Sequence, residues 1–145
     1  GDIKFWPKWK NSKDWLSFMP DKVERRYWQK IFDRVYEGQI DSWAYPWTAS
    51  IWNKGGLTAT PNVNLVSNIG FGDDATHTMS KSSKLSKIKV DNIDKIKHPK
   101  KVERNIEADT STFNYVFEGK NLRFPMRWIL IPQRLLNYIL SLKNK

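Results

Sequence analysis

Several residue types and motifs that commonly mark a functional class are missing from this chain. It has no Cys, which excludes disulfide bonds, thiolate metal sites and a Cys nucleophile. With His77 and His98 as its two histidines, it cannot form a histidine-rich metal site. Its apolar runs are far shorter than the roughly 18 residues that a membrane-spanning helix needs. The glycine-rich phosphate-binding motifs, His-Glu-x-x-His and Gly-x-Ser-x-Gly are also absent, so no common catalytic signature assigns a class.

What the chain does have is a high content of large apolar side chains. Its 145 residues are 39% hydrophobic and include eight Trp, which predicts one folded domain and not a disordered tail. The net charge of +10 is unevenly placed, because residues 1–76 carry ten basic and nine acidic side chains whereas residues 77–145 carry fifteen and six. Seven Trp precede Asn53, so aromatic and basic residues occupy different stretches. Nucleic-acid binding favours their interleaving, and we therefore expect such binding to be weak and non-specific.

Apolar spacing predicts a first long helix. Asp21 followed three residues later by Glu24 resembles a capping box, and a helical pattern then runs over residues 22–36 until Gly38. Four Trp are expected in the core: Trp6, Trp9, Trp15 and Trp28.

A second helix is predicted over residues 42–53, with Asp41 or Ser42 as its N-cap. Three Trp share much of one face of this helix: Trp43, Trp47 and Trp52. Further on, residues 57–69 favour short extended segments, and the alternating Phe113, Tyr115 and Phe117 predict a strand of a hairpin. Pro132 can open an amphipathic last helix.

Two polar stretches, residues 41–47 and 68–78, remain as places for chemistry. The second belongs to the string NLVSNIGFGDDATHT over residues 64–78. Together with Trp6-Pro7, the Asp41-to-Trp47 segment and Pro61 to Val66, this string resembles the C-terminal part of bacterial GT-A nucleotide-sugar glycosyltransferases, also described as family-two-like or nucleotide-diphospho-sugar transferases. The similarity is close over residues 1–80 and loose around His98-Pro99. One difference is Ala44, where the family commonly has Asp.

The resemblance implies an α/β fold, the C-terminal part of a Rossmann-like GT-A domain that is largely helical with short strands in this chain. It also implies that the nucleotide-binding half, with its Asp-x-Asp metal motif, precedes residue 1, since no Asp-x-Asp occurs here. The complete enzyme would transfer a sugar from a nucleotide-diphosphate sugar to a saccharide or lipid-linked acceptor, using a divalent cation, Mn²⁺ or Mg²⁺. This chain alone is then expected to be inactive.

The resemblance implies roles for individual residues as well. Asp41 is the implied catalytic base that takes the proton of the acceptor hydroxyl, and its alternative role is to cap the helix. His77 is the implied metal ligand, with a hydrogen-bonded turn histidine as the alternative. The implied substrate-binding residues are Trp43, Tyr45, Trp47, Asn68, Gly70, Gly72 and Thr76. Asp41 and His77 are therefore expected to lie near each other in one exposed cleft.

The predicted organisation has three segments. Residues 1–80 form the C-terminal half of the catalytic domain, residues 81–104 a basic connector, and residues 105–145 a hairpin-like segment with an amphipathic C-terminal helix. We expect a cytoplasmic location with peripheral contact on the inner face of the membrane. Two other functions stay open: a basic module that binds nucleic acid or an anionic membrane, and a non-catalytic structural domain.

Overall fold

The computed structural model describes residues 2–66 and 89–131. These residues form six α-helices and one 3₁₀ helix: α1 (Trp6–Trp9), α2 (Lys13–Phe18), α3 (Lys22–Tyr36), α4 (Ala44–Asn53), α5 (Ile106–Val116), the 3₁₀ helix (Gly119–Leu122) and α6 (Met126–Ile129). Within the described ranges there is no strand, so the predicted α/β, Rossmann-like fold is wrong for this part of the chain. No helix in these ranges is long and apolar enough to cross a bilayer.

Helix α3 confirms the prediction for residues 22–36, because its start and its buried face both follow from local sequence. The carboxylate of Asp21 accepts hydrogen bonds from the backbone N–H groups of Val23 and Glu24 at 3.0 and 2.8 Å. Glu24, Trp28 and Phe32 are the buried residues of the helix, and their spacing of four places them along one stripe. The helix is therefore fixed by a side-chain cap at one end and by packing along its length.

Helix α4 begins later than predicted. Its N-cap is Trp43, whose side chain makes no capping hydrogen bond, so the prediction of Asp41 or Ser42 as the cap is wrong. Ser42 Oγ does accept a long hydrogen bond of 3.3 Å from the N–H of Ala44. Pro46 is tolerated because it lies in the first turn, where its missing N–H leaves no intrahelical bond unmade.

Helix α5 replaces the predicted strand at residues 113–117, and the hairpin-like interpretation of this segment is wrong. Asn105 caps the helix, its side chain accepting from the N–H of Ala108 at 3.0 Å. In the helical conformation Phe113 and Phe117, four residues apart, both reach Tyr27, with ring centroids 5.4 and 5.8 Å away. An extended chain would also put these two rings on one side, which is why the pattern alone misleads.

Aromatic rings make up most of the core. Its buried members are Ile3, Trp6, Trp9, Trp15, Met19, Trp28, Phe32 and Ala49. Most neighbouring rings meet edge to face, such as Trp6 and Trp15 with centroids 5.2 Å apart, the arrangement that ring quadrupoles favour. The indole N–H of Trp6 donates to Asp33 Oδ1 at 2.8 Å, and Lys10 Nζ donates to the same oxygen at 2.8 Å. The buried positions expected for Trp6, Trp9, Trp15 and Trp28 are confirmed.

The described residues divide into two compact units. Residues 2–57 and 103–131 form the first, which contains all the helices. Residues 58–66 and 89–102 belong to the second, where the N–H of Asp91 donates to the carbonyl of Asn64 at 2.9 Å. The predicted boundary at residue 80 and the predicted helix after Pro132 lie outside the described residues, and the boundary at residue 104 stays a prediction.

Candidate functional site

A tight turn after α3 positions Asp41 in front of α4. Gly38 has a φ of 72°, in the left-handed region that favours glycine. Its N–H bonds to the carbonyl of Val35 at 3.1 Å, and the N–H of Gln39 bonds to the carbonyl of Arg34 at 2.8 Å. These bonds close the C-terminus of α3 and turn the chain away from it. Asp41 follows on the surface, exposed to solvent.

The buried side of α4 fixes which of its aromatic residues face outwards. Pro46 and Ala49 are buried, and Trp52 packs on the rings of Phe18 and Trp28 with centroids 5.4 and 5.0 Å away. Tyr45 is half-buried against the same core. The side of α4 opposite these residues faces away from the core.

Trp43 and Trp47 occupy that outer side, 79% and 62% exposed. They lie one helical turn apart, and the N–H of Trp47 donates to the carbonyl of Trp43 at 3.2 Å. Side chains at this spacing are neighbours on a helix surface. We call Asp41, Trp43 and Trp47 the aromatic–carboxylate surface.

The exposure of these two indoles contrasts with every other Trp of the first 53 residues. Trp6, Trp9, Trp15 and Trp28 are buried, and Trp52 is half-buried. Burying an indole contributes favourably to folding, and the two exposed indoles forgo that contribution. Their faces offer flat apolar area, and Asp41 lies two residues before Trp43 in the chain.

Asp41 is chemically free for a role at this surface. Since Trp43 holds the N-cap position, Asp41 does not cap α4. Across residues 2–66 and 89–131 no ion pair involves Asp41. An exposed, unpaired carboxylate can accept hydrogen bonds from hydroxyl groups of a bound molecule.

Tyr45 does not belong to the aromatic–carboxylate surface, and the predicted loop residues are not described by the structure. The ring of Tyr45 lies on the core side of α4. Burial is the larger cause of the raised pKa of the Tyr27 phenol, and the nearby Tyr45 raises that pKa further. The remaining predicted site residues lie outside the described part of the chain: Asn68, Gly70, Gly72, Thr76 and His77. The expected proximity of Asp41 and His77 therefore stays a prediction.

The described ranges supply no metal centre of their own. They hold no group of three or more His, Asp or Glu side chains arranged to bind a metal ion. The side chain of Asn64 donates from Nδ2 to the carbonyl of Lys89 at 3.4 Å.

A second exposed aromatic segment, residues 124–131, is missing from the predictions made from sequence. Trp128 is 68% exposed. It lies far along the chain from the other seven Trp, which all precede Asn53. The alternation of aromatic, basic and aliphatic residues around it is the signal that would have found it. Helical spacing alone would have assigned these apolar residues to a core.

Comparison of the chain with protein-family models, with curated proteins and with solved structures found no match.

Proposed function

We propose that this chain is part of a glycosyltransferase that uses a nucleotide-diphosphate sugar, and that the aromatic–carboxylate surface binds the acceptor saccharide. The observation that carries the proposal is the exposure of Trp43 and Trp47 one turn apart, shortly after the exposed and unpaired Asp41 in the chain. The resemblance of residues 41–47 and 64–78 to nucleotide-sugar glycosyltransferases supports it.

The chemistry of a saccharide matches this surface. A sugar ring presents C–H groups on its faces and hydroxyl groups around its edge, so indole faces and a carboxylate together contact both kinds of group. Two indoles one turn apart can contact neighbouring sugar units. The surface would therefore favour an oligosaccharide over a single sugar.

Asp41 takes the role of general base in this proposal. Transfer requires that the attacking hydroxyl lose its proton as it bonds to the anomeric carbon, while the nucleoside diphosphate leaves with the electrons of the old bond. A carboxylate within hydrogen-bond reach of that hydroxyl can accept the proton. A divalent cation, when bound, would neutralise charge on the departing diphosphate, with His77 as its proposed ligand from this chain. Asn68, Gly70, Gly72 and Thr76 are proposed to bind the donor.

Saccharide binding can be tested on this chain with 5-fluorotryptophan, which gives each indole its own ¹⁹F NMR line. We expect cello-, malto- and chito-oligosaccharides, added in turn, to include at least one that shifts the lines of Trp43 and Trp47. Trp128 is the matched control, since it is equally exposed and its line should stay in place. If no oligosaccharide moved the Trp43 and Trp47 lines, the proposed acceptor surface would be wrong.

On this proposal, catalysis is tested in a longer protein in which a nucleotide-binding half precedes this chain. Asp41→Asn should reduce turnover by roughly 10²–10⁴-fold while donor affinity is kept, because the amide preserves shape and lacks basicity. His77→Ala should instead weaken Mn²⁺-dependent donor binding. Asp14→Asn changes an exposed carboxylate of α2 and should alter neither quantity. Unimpaired turnover by the Asp41→Asn enzyme would show that Asp41 is not the general base.

A further inference from the structure

The segment after the 3₁₀ helix exposes large apolar side chains at unusual density. Phe124 is 82% exposed and Trp128 68% exposed. Three aliphatic side chains of the same short stretch are exposed as well: Met126, Ile129 and Ile131. We call residues 124–131 the aromatic segment. So many large apolar groups on one short stretch indicate an interaction surface, since isolated exposed residues are the ordinary case.

The aromatic segment starts from a fixed point on the first unit. Arg123 Nη1 donates to Asp21 Oδ2 at 2.9 Å, and this ion pair joins the segment to the start of α3. Beyond it the backbone is hydrogen-bonded, with the N–H of Trp128 bonded to the carbonyl of Pro125 at 2.9 Å and that of Leu130 to Met126 at 3.0 Å. The exposed side chains therefore stand on ordered backbone that is anchored to a packed core.

Charge selects the kind of partner. Arg127 is exposed within the segment, and no ion pair involves it among the described residues. From residue 119 to residue 145 the sequence has no Asp or Glu, and its six charged side chains are all basic: Lys120, Arg123, Arg127, Arg134, Lys143 and Lys145. An apolar surface in a stretch of one charge sign fits a partner that is apolar inside and anionic at its boundary.

We propose that the aromatic segment is a docking surface for an anionic lipid bilayer. Phe124 and Trp128 enter the boundary between headgroups and acyl chains, the depth at which Trp is enriched in membrane proteins. Arg127 remains at the level of the lipid phosphates. The aliphatic residues favour lipid over nucleic acid, because bases stack on aromatic rings and gain little from Ile129 or Ile131. This inference is independent of saccharide binding at α4.

The test is sedimentation of the chain with vesicles, either pure phosphatidylcholine or a mixture with phosphatidylglycerol. We expect the anionic vesicles to bind at least about fivefold more tightly, in line with the contribution of one basic residue near such a surface. Trp128→Ser should weaken binding about tenfold or more, since it removes the largest apolar group that enters the bilayer. Arg127→Gln should weaken binding to anionic vesicles about fivefold and leave the weaker binding to neutral vesicles unchanged.

Tyr36→Ser is the matched control, because Tyr36 is an exposed aromatic residue at the end of α3 that neither surface uses, and it should bind vesicles like the unaltered chain. A second readout follows the ¹⁹F line of 5-fluoro-Trp128, which a soluble paramagnetic reagent should broaden in the free chain and should not broaden once vesicles are present. Three results would overturn the proposal: unchanged vesicle binding by Trp128→Ser, a Trp128 line already protected in the free chain, or tighter Trp128-dependent binding to single-stranded poly(U) than to the anionic vesicles.

Discussion

Glu24 is the one charged residue among the buried residues of α3, which otherwise are Trp28 and Phe32. Desolvation by burial is the largest influence on its carboxyl group and raises its pKa, which the positive charge of Arg104 opposes and the negative charge of Asp21 reinforces. The folded protein therefore favours the protonated form more than the unfolded chain does. A buried carboxylate of this kind opposes folding at neutral pH.

This shift predicts a pH-dependent effect of Glu24→Gln. Near the ordinary value of 4.5 and below, the two proteins should have similar unfolding free energies. As the pH rises above that value, the original protein loses stability relative to the variant, because the unfolded chain releases the Glu24 proton at a lower pH than the folded protein does. Urea titrations between pH 4 and pH 7.5 measure the difference. Glu103→Gln, which removes one negative charge at an exposed position, is the control variant.

Asp21 shows the opposite behaviour. Burial, the largest single influence, raises the pKa of its carboxyl group, but the hydrogen bonds from Arg123, Glu24 N–H and Val23 N–H together lower it below 3.8. The stabilisation from these bonds is complete above that value and is lost as the pH falls below it. The one carboxylate of Asp21 thus caps α3 and also pairs with Arg123, the residue that precedes the aromatic segment.

Asp21→Ala should lower the unfolding free energy at pH 7 by about 1–2 kcal/mol, the usual size of a lost N-cap. Asp21→Asn should cost less, because its amide oxygen still caps the helix although the ion pair with Arg123 is lost. Chemical denaturation of the three proteins gives both values. A loss of stability as large for Asn as for Ala would show that the ion pair, and not the cap, is the dominant interaction.

At the level of elements, the sequence predicts a helix correctly where local signals alone determine it. The helix over residues 22–36 was predictable because cap, periodicity and stop signal agree. The strand prediction at residues 113–117 was wrong because Phe113 and Phe117 share a side in either conformation, and the choice of helix depends on Tyr27 and Trp28, distant along the chain. Nothing local in the sequence reveals those partners.

The exposed face of α4 was also beyond local prediction. The grouping of Trp43, Trp47 and Trp52 on one face implied a common environment, whereas Trp52 is packed on the core and the other two are exposed. Trp52 is nine residues from Trp43, which on a helix rotates it well away from Trp43 and Trp47. Asp41 was identified by resemblance, and its exclusion as the N-cap required the observed start of α4.

Close packing between α5 and the 3₁₀ helix gives a prediction at the same scale. Gly119 is buried, and a Cβ atom placed on it would overlap the ring of Phe113. Gly119→Ala should therefore lower the unfolding free energy by about 1–3 kcal/mol. Combining it with Phe113→Leu should cost less than the sum of the two single changes, since the smaller side chain frees space. Strict additivity in this double-mutant cycle would contradict the close approach.

At the scale of the whole chain, the first unit is assembled from two separated stretches. Arg104 links them: its guanidinium group lies 4.5 Å from the ring centre of Phe18, bonds to the Phe18 carbonyl and pairs with Asp109. Arg123 adds the ion pair with Asp21. Local sequence patterns do not reveal such long-range contacts, and for that reason they predict residues 105–145 as a segment separate from residues 1–80.

This arrangement predicts that the first unit folds without the second. Replacing residues 58–102 by a flexible Gly/Ser linker of about 20 residues should change the unfolding free energy by less than ~1 kcal/mol, because loop-closure entropy varies slowly with length. Cooperative urea unfolding of the shortened chain would confirm it. A chain without a cooperative transition would show that residues 58–102 are needed for the first unit.

The aromatic core has an optical consequence. The rings of Trp6, Trp9 and Trp15 lie with centroids 4.8–5.9 Å apart at steep angles, close enough for their electronic transitions to mix. Coupled indoles of this kind add positive and negative bands to the far-ultraviolet circular dichroism spectrum, on top of the bands of the helices. The apparent helix content of this protein would therefore change when a single core Trp is replaced by Phe, even with every helix intact. The same coupled bands would disappear on unfolding and so report directly on whether these three indoles remain packed.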